Sequence, residues 1–284
     1  MKKILFFLFA TTFAVAQTNT EVYLFELTNN NKGSWSVDNG KNISNNPGYD
    51  SQPFFYSKDA IIFSSTRNNQ TDIAEYDIKS GKIKFINSTP NGGEYSPQRI
   101  PKSKDISAVR LDTDGLQRFY KYNYKTGENT EIIKDLKVAY PMWYDKNTII
   151  SVVIVDDHLD LILSELKLNR NTTIQKKVGR SLHHIPNTTF ISYINKEKEQ
   201  WEVTMFNPKN GERRKIIDTV GKKEDVCWLP DGTLLMAVGN ALMKFNPATD
   251  KGWGIFHTFP KNKYKNISRI LVNSKGTQLV LVSD

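Results

Sequence analysis

A unit of roughly 44 residues recurs along almost the whole of this 284-residue chain, and few architectures accept that regularity. Its clearest mark is a short apolar strand entered from a polar turn, at 60–64, 106–110, 148–152, 189–193, 233–237 and 277–281. The starts are 46, 42, 41, 44 and 44 residues apart. The turns ahead of them are rich in Asp, Asn, Ser, Lys and Gly, among them Pro230-Asp231-Gly232 and Asn273-Ser274-Lys275-Gly276. Such residues reverse a chain through positive φ or through side-chain bonds to their own backbone. Six copies of a unit built from several short strands predict a six-bladed β-propeller.

A second set of strands has its own count. Five copies with apolar and polar residues in alternation lie at 72–78, 118–124, 161–166, 201–206 and 241–245. The sixth stands at the opposite end of the chain, at 21–27, and is followed by the turn residues Lys32-Gly33 and a further strand near 35–37. The last unit stops after two strands, at Asp284. The arithmetic closes only if the termini share a blade, with 21–27 antiparallel to 277–281. The fold expected is therefore all-β, with four-stranded antiparallel blades and a last blade built from both ends of the chain. That closure leaves no open edge between the first and last blades.

Residues 1–16 read differently. Lys2 and Lys3 precede an apolar run beginning at Ile4, and Ala14-Val15-Ala16 has the small-x-small form of a cleavage site. A secretory leader cut near Ala16-Gln17 is expected, leaving a single domain over 17–284 in the periplasm or outside the cell. The run is too short to anchor in a bilayer, and no later stretch is apolar enough to span one. Cys227 is the only cysteine, so no disulfide forms within the chain. The formal charge of +9 becomes +7 without Lys2 and Lys3, which favours acidic partners weakly. No nucleic-acid motif accompanies it, and a monomer is expected.

The segment Ser57-Lys58-Asp59-Ala60-Ile61-Ile62-Phe63-Ser64, followed by Thr71-Asp72-Ile73, resembles the repeat of the TolB-like and WD40-like (PD40) propellers. Leu229-Pro230-Asp231-Gly232 keeps the Pro-Asp-Gly core of that motif, and Leu111-Asp112-Thr113-Asp114-Gly115 matches its hairpin turn. The resemblance covers nearly all of 17–284, and what it implies is a fold, with units three and four degenerate. Complete TolB proteins carry an extra N-terminal α/β domain for which this chain has no room. Related repeats precede prolyl-oligopeptidase-type hydrolases, but the nucleophile elbow of that catalytic domain is lacking. Gly179-Arg180-Ser181-Leu182-His183 has no closing glycine.

Function on a propeller is grafted onto loops and the channel mouth, so the residues placed ahead of the innermost strands are the candidates. These are Asp50, Gln52, Glu94, Tyr140, His183, His184, Asp225 and Arg269. Their mixed signs suit a polar, hydrogen-bonding ligand. His183 and His184 are expected at the start of an innermost strand, with one of the two facing the channel. The turn Asp156-Asp157-His158-Leu159-Asp160 is a solvated acidic hairpin, without the spacing of a calcium loop. Lys261, Lys263 and Lys265, with His257, Phe259 and Tyr264, form a basic aromatic connector. Cys227 has no activating base in view and reads as a buried thiol. The expectation is an exported, non-enzymatic binding module for an envelope protein, a peptide or a glycan. It holds no catalytic residue, metal or cofactor. The alternative is a metal-assisted carbohydrate lyase or lactone hydrolase working at the channel mouth.

Overall fold

The computed structural model describes residues 19–30, 34–90 and 92–284. The leader expected over 1–16 and the turn expected at Lys32-Gly33 lie outside the described residues. The chain enters through β1 (Glu21–Asn30) and β2 (Ser34–Asn42). Blade A follows, with β3 (Asp50–Ser57), β4 (Ala60–Arg67), β5 (Gln70–Asp77) and β6 (Ile83–Phe85). Blade B holds β7 (Gly92–Arg99), β8 (Ile106–Asp112), β9 (Gln117–Tyr122) and β10 (Asn129–Ile133). Blade C holds β11 (Val138–Asp145), β12 (Thr148–Val155), β13 (His158–Glu165) and β14 (Arg170–Gln175), with a 3-10 turn at Leu166–Leu168. Blade D is β15 (Val178–His184), β16 (Ile191–Asn195), β17 (Glu202–Phe206) and β18 (Arg213–Asp218). Blade E is β19 (Val226–Trp228), β20 (Leu234–Val238), β21 (Ala241–Phe245) and β22 (Gly254–Thr258). The chain ends in β23 (Ile267–Val272) and β24 (Gln278–Ser283).

These strands form six four-stranded antiparallel sheets, the sixth in the order β2-β1-β24-β23. The expected closure is present: Glu21 pairs with Ser283, Tyr23 with Leu281 and Glu26 with Gln278, all antiparallel. Contacts run β3 to β7 to β11 to β15 to β19 to β23 and back to β3, so the first strands of the blades line a ring.

The core is divided among the gaps between blades. Each of the six hydrophobic clusters joins two neighbouring sheets. Phe25, Leu27, Leu279 and Leu281 of the closing blade, for example, pack on Cys227, Leu235 and Leu242 of blade E. A middle strand is covered on both faces, which is why Ile61, Ile62 and Phe63 form an unbroken apolar run, fully buried.

Polar residues at one-repeat spacing fasten the ring. Trp143 Nε1 donates to Ser107 Oγ at 2.8 Å, and Trp228 Nε1 to Ser192 Oγ at 2.9 Å. Blade D has His184 at that position. Its Nε2 meets the Trp143 carbonyl oxygen at 2.9 Å, and the buried Ser151 Oγ is left without a partner. The motif aspartate works within a blade. Asp72 Oδ1 accepts the Thr89 N–H at 3.1 Å, and Asp160 Oδ1 the Lys177 N–H at 3.2 Å, so each pins the linker into the next blade.

Candidate functional site

The innermost strands are irregular at one level, and that irregularity shapes the channel. Pairing slips between Ser51 and Phe54, between Tyr95 and Gln98, between Val138 and Tyr140, between Val178 and Leu182, and between Ser268 and Ile270. Pro53 and Pro97 sit inside two of these slips, where a missing N–H breaks no ladder bond, and Pro141 follows directly on a third, paired with Ser151. Gln52, Ser96 and Arg269 hold left-handed backbone, with φ of 57°, 51° and 49°. Such a conformation is strained by about 1–3 kcal/mol in a residue with a side chain and persists where its surroundings fix it. A bulge re-aims the side chain it carries.

The side chains at this level open into a cavity of about 660 Å³ lined from all six blades. Its rim is formed by first-to-second-strand turn residues, among them Pro101, Pro186, Pro230 and Asn273. Its wall carries Phe54, Phe55, Trp143 and Trp228. Deeper in lie Gln52, Ser96, Tyr140, Arg180, Ser181 and Arg269. Four residues of extended chain separate Arg269 from the rim at Asn273, which is about 13 Å.

Five of the eight candidate residues line this cavity: Gln52, Tyr140, His183, His184 and Arg269. Gln52 Oε1 accepts from Ser64 Oγ at 3.0 Å and from the Ser96 N–H at 2.8 Å, which leaves the amide nitrogen for a ligand. The other three are buried away from it. Asp50 and Glu94 are wholly buried near the opposite ends of β3 and β7. Burial pushes the Asp50 carboxyl up to about 6, against bonds from Ser65 and Asn46. Burial also raises Glu94, whose Oε1 accepts the Tyr122 hydroxyl at 2.8 Å.

Asp225 is buried at the foot of the channel between two guanidinium groups. Arg180 Nε and Nη2 donate to its two oxygens at 3.0 and 2.6 Å, and Arg269 Nη1 donates at 3.0 Å. Burial raises the Asp225 carboxyl, with Arg180 opposing. Burial lowers Arg180, but Asp225 and Glu224 outweigh it and hold the guanidinium above its ordinary range. Glu224 is shared as well, accepting from Lys196 Nζ at 2.7 Å and the Arg180 N–H at 3.1 Å. Gly179 makes room for this group. A Cβ there would stand 2.5 Å from Glu224 Oε2 and 2.9 Å from Ile194 Cβ. Arg180 was not among the sequence candidates, although Asp225 and Arg269 are one repeat apart and Arg180 stands one repeat before Asp225.

The histidine expectation needs one correction. His183 and His184 end β15 rather than begin it, because only Lys176 and Lys177 link blade C to blade D and the strand starts at Val178. Both residues line the cavity; His184 is exposed and stacks on Tyr144 at 5.6 Å. His183 is held down to about 4, first by burial and then by the neighbouring His184. A neutral folded imidazole loses to a protonated unfolded one as pH falls, so its contribution to stability declines from about pH 6.5 down to about 4. Asp50 acts in the opposite sense, since its raised carboxyl favours folding as pH falls through about 6. Comparing wild type with His183→Gln isolates the histidine: urea unfolding at pH 7.5 and 4.5 should show roughly 2 kcal/mol less acid loss in the variant. Equal losses in both would refute a neutral His183.

Three further segments are plain structure. Asp156 and Asp157 form a turn, with Asp157 Oδ1 and Asp160 Oδ1 at 3.1 and 3.2 Å from the His158 ring nitrogens. In the connector, Phe259 and Tyr264 are buried against Phe25 while Lys261, Lys263 and Lys265 are exposed. Burial pushes the Cys227 thiol far up, so it is not a thiolate. Among the described residues no three His, Cys, Asp or Glu side chains stand together as a metal-holding group.

No family model and no curated protein matches the chain. Solved structures match its fold. A putative TolB from Agrobacterium tumefaciens superposes with a TM-score of 0.72 at 9% identity, covering 93% of this chain and 98% of that one. TolB from Acinetobacter baumannii gives 0.61 at 10% identity over 93% of this chain, which spans 64% of that protein. A gluconolactonase from Xanthomonas campestris gives 0.63 at 10% identity, covering 91% and 94%. The shared property is the propeller.

Proposed function

We propose that the chain is an exported binding module of the TolB-like propeller type, without catalysis of its own. It engages an envelope protein, a peptide or a glycan at the channel mouth. The observation that carries this reading is the cavity of about 660 Å³ to which every blade contributes. That size lies in the ordinary range of ligand sites, and its apolar wall with a few inward polar groups suits one. Export rests on the leader expected over 1–16. No helix among the described residues is long and apolar enough to cross a membrane.

The test is to express the full chain, recover it from the extracytoplasmic fraction and read its N-terminus. The protein is then screened against peptide and oligosaccharide arrays beside Ser274→Trp. Ser274 is an exposed rim residue whose enlargement narrows the entrance without touching the core. A start near Gln17 and saturable binding weakened at least about tenfold by Ser274→Trp are expected. An intact Met1, or binding indifferent to the rim, contradicts the reading.

The pair His183-His184 in the cavity wall favours one second reading, hydrolysis or lyase chemistry on a carbohydrate or lactone. Turnover of a sugar lactone or an oligosaccharide that disappears in His183→Gln would establish it in place of the first.

A further inference from the structure

The foot of the cavity carries an excess of positive charge in a fixed geometry. Three cations, Arg180, Arg269 and Lys196, surround two carboxylates, Glu224 and Asp225. The cavity does not meet them equally. Arg180 and Arg269 belong to its lining, and no Asp or Glu does. Asp225 takes Nε and Nη2 of Arg180 and Nη1 of Arg269. Arg180 Nη1 and Arg269 Nε and Nη2 have no protein hydrogen-bond partner among the described residues, and Gln52 Nε2 is likewise unused. Arg269 is also held in place. Its backbone is left-handed and its guanidinium lies 5.3 Å from the centre of the Tyr140 ring. A strained, stacked arginine directed into a cavity is costly unless something there uses it.

We infer that the channel foot is an anion subsite, and that the ligand of the cavity carries a carboxylate bound by Arg269 and Arg180. The inference deepens the binding-module reading and rests on it. Asp225 already displays the fit, since two guanidiniums grip a planar pair of oxygens from its two sides. A second carboxylate meets the remaining donors on the cavity side. The surplus is one unit of charge, which balances a carboxylate and leaves a dianionic phosphate in excess. Above the subsite the lining is largely apolar and includes Phe54, Phe55 and small exposed parts of the mostly buried Trp143 and Trp228. A sugar acid and the C-terminal end of a peptide present this same chemistry.

The experiment uses the mature protein and probe pairs matched except at the carboxylate: galacturonate against galactose, and N-acetyltryptophan against its amide, with acetate as the smallest acid. Binding is read by calorimetry and by ligand-observed NMR in wild type, Arg269→Gln and Asp225→Asn. An acid should bind at least about tenfold more tightly than its neutral partner, and Arg269→Gln should remove that margin. Asp225→Asn should tighten the acid by releasing both arginines from their internal competitor. Added salt should weaken wild-type binding, a readout that stands even if one variant folds poorly. The galacturonate and N-acetyltryptophan arms separate a sugar acid from a peptide end. Equal affinity for acid and neutral probe overturns the subsite, as does acid binding indifferent to Arg269→Gln, or no acid bound at all, acetate included. Neutral binding that Ser274→Trp abolishes would in that case leave the module reading standing.

Discussion

Deleting residues 17–37 is expected to leave a chain with no cooperative unfolding transition. The segment contains all of β1 and the stretch Ser34–Val37 of β2, so the closing blade loses one strand whole and the start of another. Its loss bares the edge of β24, along which Glu21, Val22, Tyr23, Leu24, Phe25 and Glu26 are paired. It also removes Val22, Phe25, Leu27 and Val37, each no more than 7% exposed. At about 1.5–3 kcal/mol for each buried side chain, four of them represent roughly 6–12 kcal/mol. That equals the whole stability of an ordinary domain, about 5–15 kcal/mol. The damage also spreads to both neighbours. Phe25 and Leu27 sit in the cluster shared with blade E, and Val22 in the cluster shared with blade A. Thermal unfolding followed by circular dichroism is the measurement. A deleted chain that melts cooperatively within a few degrees of the full one would show that the termini do not clasp the ring. Phe25→Ala is the graded version, at about 3–5 kcal/mol.

That closure was legible before any coordinates because it depends on counting. A strand covered on both faces leaves an apolar run in the sequence, and six such runs against five downstream partners force the sixth partner to the front of the chain. The site was only partly legible, for a reason that lies in the backbone. Whether a residue of an innermost strand faces the channel depends on the bulge, and Gln52, Ser96 and Arg269 take left-handed backbone without a glycine to announce it. Asp50 and Gln52 are two residues apart, which in a regular strand would put them on one face. The slip between Ser51 and Phe54 sends them to different surroundings. The histidine pair was placed at the wrong end of β15 because unit four is one of the two degenerate units, at 41 rather than 44 residues from its predecessor. The missed Arg180 had a signal. Residues one repeat apart meet across neighbouring blades: Gln52 Oε1 takes the Ser96 N–H, and the Asp225 side chain meets those of Arg180 and Arg269. Complementary charges at that spacing mark an inter-blade pair.

Asp225→Ala is expected to destabilise the fold by about 2–3 kcal/mol, and Asp225→Asn by clearly less. A buried ion pair adds little against a well-packed apolar substitute, but removing one partner leaves the other uncompensated, at about 3–5 kcal/mol. The lower figure applies because the arginines reach cavity water, with side-chain exposures of 28% for Arg180 and 18% for Arg269. Asparagine retains one acceptor oxygen, and burial already biases the Asp225 carboxyl toward its neutral form. Adding Arg269→Met to Asp225→Ala should restore part of the loss, because one of the two guanidiniums left without Asp225 is then gone while Arg180 keeps Glu224. The pair would thus be coupled by about 1 kcal/mol or more, within the range seen for residues sharing one network. Urea unfolding of the two single variants, the double variant and wild type, with equal slopes, gives that coupling directly. Additive effects would mean that solvent screens Arg269 from Asp225. The charge surplus at the channel foot would then be too diffuse to hold an anion in one place.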